Sequence, residues 1–89
     1  MSHRIQLIQD KITAALSPTH FNIVDNSAQH AGHASAKGGG HFEVTIISEQ
    51  FAGLSLVKRH QLVYSVVQDL MNTEIHALSI KAYTPEEQQ

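Results

Sequence analysis

Two segments with apolar residues at three- and four-residue steps and three strand-like segments, the second and third of them alternating, in the order helix, strand, strand, helix, strand, predict an α/β (α+β) domain. Its centre is a three-stranded mixed sheet packed against two helices. The first two strands pair as a hairpin across a long loop. The helix between the last two makes a right-handed crossover, so the third strand runs parallel to the second.

Ile5, Ile8, Ile12, Ala15 and Leu16 share one face of a first helix, which Ser17-Pro18 ends because proline disfavours helix through the residue before it. Residues 21–25 form a first strand. Residues 41–48 form a stronger one, with Phe42, Val44 and Ile46 on a single face. Ser55 is placed to cap a second and longest helix carrying Leu56, His60, Val63, Tyr64, Val67, Leu70 and Met71. The third strand covers residues 76–83. Thr84-Pro85-Glu86-Glu87 then reads as a capping box with proline at the first helical position, the start of one more turn.

The 89 residues suit one domain, 1–89, interrupted by a loop over residues 26–40 that holds four of the five glycines. Long connections without structure of their own tend to be functional. With 42% hydrophobic and 16% charged residues the chain is globular rather than disordered. No apolar run approaches the roughly 20 residues that cross a bilayer, and no signal-peptide core opens the chain, so a cytoplasmic location and no membrane partner are the expectation. Cysteine is absent, which removes disulfides, thiolate nucleophiles and CxxC metal knuckles. A metal here needs nitrogen or oxygen donors, or sulfur lent by a partner. The formal charge of −2 gives no global attraction for polyphosphate.

Seven histidines are several more than usual for this length. His76 opens the last strand on the parity of Leu78, Ile80 and Ala82, which places it at the rim of the core on rigid backbone. From composition alone, a hydrogen-bonded strand histidine is the commoner outcome.

Four segments together resemble the BolA family. They are Val24-Asp25-Asn26-Ser27 before a histidine-bearing loop, Gly40-His41-Phe42, the run from Phe51-Ala52-Gly53 to Lys58-Arg59-His60, and Ile75-His76-Ala77-Leu78 through Thr84-Pro85-Glu86. The resemblance covers most of the chain. It implies a class II KH-like fold and two roles: pairing with a monothiol glutaredoxin around a shared [2Fe-2S] cluster in iron–sulfur assembly, trafficking or iron signalling, and DNA-binding transcriptional regulation of cell shape and stress response.

In the family's cluster pattern one ligand falls on His76. The second comes from the loop, where His30 matches best and His33 is the alternative. Two histidines on one iron form a Rieske-like half-site whose ligands must be neutral, so acid releases the cluster. The partner's cysteine and a bound glutathione thiolate supply the other half. The isolated chain is expected to hold no cofactor.

Beside these, His41 is read as structural or as a support for the ligands, and His60, on the apolar stripe of the long helix, as a hydrogen-bonded core or boundary histidine. Gly38-Gly39-Gly40 lacks the Lys-Ser/Thr and the helix of a phosphate loop. The GXXG loop with which KH domains grip nucleic acid is missing, so DNA binding rests on Lys58, Arg59 and Lys81, with Arg59 facing solvent or a partner. Family members commonly carry an aromatic residue where this chain has Gln88. No hydrolase elbow or local catalytic motif appears, so no enzymatic turnover is expected.

Overall fold

A computed structural model of the chain describes residues 3–26, 40–71 and 73–88. The order is α1 (His3–Leu16), β1 (His20–Asp25), β2 (Gly40–Ile47), α2 (Leu56–Val66) and β3 (Ile75–Tyr83), with short 3-10 turns at Glu49–Phe51, Gln68–Leu70 and Pro85–Gln88. The sheet order is β1-β2-β3. β1 pairs antiparallel with β2, from His20 opposite Ile47 to Asp25 opposite Phe42, and β3 pairs parallel with β2. The predicted α+β architecture is the one formed.

Helix α1 buries Ile8, Ile12 and Leu16, three residues at i, i+4 and i+8, each worth about 1.5–3 kcal/mol of transfer free energy when fully covered. Ala15, one step off that line, is exposed. The helix stops at Ser17, whose φ of 44° is left-handed and whose N–H donates to Thr13 O at 3.1 Å. Pro18 forbids a further turn. Phe42, Val44 and Ile46 of β2 meet this stripe, together with Phe51, Val63, Val67 and Leu70, and Ile75, Leu78 and Ala82 of β3. Both helices therefore cover one face of the sheet.

The connection after β2 is tied down by Ser48. Its fully buried hydroxyl donates to Leu16 O at 2.7 Å and accepts from Gln50 N–H at 3.1 Å, so one side chain closes the 3-10 turn and joins it to the end of α1.

Helix α2 differs from the sequence reading in length and phase. It ends at Val66, not Met71, and is shorter than α1. The chain tightens into the Gln68–Leu70 turn, which lets Val67 and Leu70, three apart, both point into the core. The buried line runs Arg59–Val63–Val67, while Leu56 and Tyr64 are 66% and 39% exposed. A hydropathy pattern cannot choose that line, because its first member is an arginine.

Candidate functional site

The last strand does not keep an unbroken pleat. Gly40 pairs with Ile75 but His41 pairs with Ala77, so one step along β2 spans two along β3 and His76 is the extra residue of a bulge. The bulge shifts the alternation by one. Ile75 and Leu78, three apart, are both buried, which an uninterrupted strand forbids. His76 is turned out to solvent instead of lying on the core parity expected from Leu78, Ile80 and Ala82.

His41 stands on the parity opposite Phe42, Val44 and Ile46, hence on the sheet face away from the helices. It is half-buried with its Nε2 shielded, and its ring centroid lies 5.0 Å from that of His76, the planes inclined at 39°. Two imidazoles bound to one ion through nitrogens near 2.1 Å, at square-planar to tetrahedral angles, hold their centroids roughly 4.5–5.3 Å apart. Read from sequence, His41 has a structural or supporting role. Its parity placed it on the correct face, but only the bulge brings His76 to it.

The backbone around this pair is pinned. Asn26 N–H donates to His41 O at 2.7 Å, Asn26 Nδ2 donates to Glu43 Oε2 at 2.8 Å, and Gly40 N–H donates to Glu74 O at 3.1 Å. Both ends of the 26–40 loop thus start from fixed points beside the histidines. The loop candidates His30 and His33 lie outside the described residues. Among the described residues no group of three or more His, Asp or Glu side chains gathers to hold an ion.

The second candidate surface is corrected at Arg59. Rather than facing solvent, Arg59 is 7% exposed. Its Nε donates to Leu54 O at 2.9 Å, Nη1 to Ala82 O at 3.1 Å and to Glu87 Oε1 at 2.7 Å, and Nη2 to Glu87 Oε2 at 3.0 Å. Four of its five N–H groups are spent inside the fold. The hydrogen bond from Arg59 and the backbone donation from Thr84 hold the Glu87 carboxyl down to about 2. The predicted capping box is real: Thr84 N–H donates to Glu87 Oε1 at 2.9 Å and Glu87 N–H to Thr84 Oγ1 at 3.3 Å. Gln88 completes that turn. Lys58 and Lys81 remain exposed, and Ser55 caps α2 by accepting from Lys58 N–H at 3.2 Å. His60 is a boundary residue, half-exposed.

No helix among the described residues is long and apolar enough to cross a membrane.

Comparison with known proteins bears on the fold and the family. The chain is 44% identical over 86 residues to SufE-like protein 1, chloroplastic/mitochondrial, of Arabidopsis thaliana, a match covering 90% of this chain but 23% of that protein. It is 43% identical over 91 residues to Protein BOLA1, chloroplastic, of the same plant, covering 98% of this chain and 57% of that protein. Against the DNA-binding transcriptional regulator BolA of Escherichia coli (strain K12) identity is 34%, over 90% of this chain and 74% of that protein. The solved BolA domain of SufE1 from Arabidopsis thaliana superposes with a TM-score of 0.86 at 43% identity, covering 98% of both chains. Residues 12–87 match the family model described as BolA-like protein. By fold and by this match, the chain belongs to the BolA family.

Proposed function

We propose that this protein is a non-enzymatic adaptor that pairs with a monothiol glutaredoxin to hold a shared [2Fe-2S] cluster in iron–sulfur trafficking or iron signalling. The observation that carries the reading is the bulge at His76, which presents an exposed imidazole on rigid strand backbone with a second imidazole, His41, 5.0 Å away. The donor set fits one half of such a centre and only one half. Two imidazoles can replace two thiolates on one iron, and a chain with no cysteine leaves the sulfur to its partner. A bound cluster supplies redox-active iron; the chain supplies neutral nitrogen ligands at fixed positions. His76 is the anchored ligand. The second comes from His30 or His33 in the loop whose ends are pinned beside it, or from His41.

The test is co-purification with a monothiol glutaredoxin and glutathione under anaerobic conditions, followed by visible absorption and circular dichroism. His76→Ala is expected to abolish the wild-type spectrum, and one of His30→Ala, His33→Ala and His41→Ala to change it. A spectrum and affinity unaltered in all four variants refutes the ligand assignment.

A second reading is DNA-binding regulation, favoured by the name of the Escherichia coli relative. With Arg59 enclosed, Lys58 and Lys81 remain of the three candidate cations named for it. Lys58→Ala is expected to lower the slope of log affinity against log salt by about one per phosphate contact removed. An unchanged slope removes this surface.

A further inference from the structure

We infer that the chain by itself, without a partner, binds a single nitrogen-preferring divalent transition-metal ion between His41 and His76. The inference rests on the same histidine pair as the cluster reading but asks a different ligand of it. A mononuclear ion needs no sulfur, no glutathione and no second protein.

Three observations support it. The 5.0 Å centroid separation falls within the range open to two imidazoles on a common ion. Both residues sit on paired strand backbone: His41 lies in the central strand and His76 in the bulge next to Ala77, the residue paired with His41, so little backbone ordering entropy opposes binding. Access is also asymmetric in a useful way. His76 is exposed and His41 half-buried, so an ion arriving from water meets His76 first and finds His41 behind it.

The chemistry narrows the ion. With no cysteine in the chain to offer a thiolate, soft ions lose their usual advantage, and imidazole nitrogen ranks the first-row divalents with copper(II) highest, then nickel and zinc. Two protein ligands leave the remaining positions to water. The site is therefore open, suited to exchangeable loading rather than to a permanent structural metal.

The experiment is titration of the full-length chain with copper(II) alone, followed by calorimetry and by electron paramagnetic resonance. The expected result is one tight equivalent with a two-nitrogen hyperfine pattern, weakened at least tenfold by His41→Ala and by His76→Ala but not by His60→Ala. In the wild-type chain, copper broadens the ring resonances of His41 and His76 before those of any other histidine. This second readout stands even if His41→Ala folds poorly. Binding left intact by both substitutions, or broadening that begins at His30 and His33, overturns the proposal. If His76→Ala loses the glutaredoxin-shared cluster but keeps copper, this inference falls and the cluster reading stands. If copper behaves as expected while the wild-type chain never takes up a cluster, the reverse holds.

Discussion

Arg59→Met tests whether an arginine can be a core residue of this fold. Methionine retains the buried aliphatic stem and removes the guanidinium with all four of its hydrogen bonds. The Glu87 carboxylate loses a partner but keeps water, since its side chain is 45% exposed, so the ion pair itself contributes little. The backbone carbonyls decide the cost. Ala82 O lies in a buried bond and Leu54 O in a partly buried one, and leaving such acceptors without a donor costs about 1–1.5 kcal/mol each, about 2–3 kcal/mol together. In a domain of this size that lowers Tm by roughly 10–20 °C. Urea denaturation at pH 7 measures it. A loss below about 0.5 kcal/mol refutes the argument, because it means that water replaces the guanidinium at no cost.

Three further outcomes follow from single contacts. Glu87 titrates near 2 when folded against an ordinary 4.5. Its stabilisation is therefore complete above about pH 4.5 and is lost as pH falls toward 2, and Glu87→Gln flattens the stability profile across that window in acid titrations followed by circular dichroism. Ser48→Ala strands the buried Leu16 carbonyl and the Gln50 N–H, costing about 1–3 kcal/mol by urea denaturation; a neutral result means that these groups find other partners. Ser17→Gly removes a side chain from a left-handed residue and raises stability by about 0.5–1 kcal/mol, and a loss instead shows that Ser17 serves the turn in some other way.

Most of the fold was legible because periodicity reports what packing requires. Ile8, Ile12 and Leu16, or Phe42, Val44 and Ile46, announce their faces in the sequence alone. Ser55 and the Thr84–Glu87 box were legible for a different reason: caps are local, and a short run of residues contains the whole interaction. Arg59 was misplaced because its partners are distant. Ala82 and Glu87 lie 23 and 28 residues away, and nothing in the helix itself shows that two carbonyls and a carboxylate wait at its buried edge.

At His76 periodicity actively misled. Leu78, Ile80 and Ala82 set a parity that His76 shares, yet Ile75, on the other parity, is fully buried. One strand cannot satisfy both without an extra residue. With an unbroken pleat either Ile75 or Leu78 faces water, at about 1.5–3 kcal/mol, and inserting His76 as the bulge removes that conflict. The histidine side chain is incidental to this solution, since any residue can occupy an exposed bulge position. His76→Ala should therefore change folding stability by no more than about 0.5 kcal/mol in urea denaturation, while every metal-dependent readout changes. A loss above about 1.5 kcal/mol means that the imidazole belongs to the fold, and an imidazole needed for folding is a poor candidate for a ligand that a partner must be able to reach.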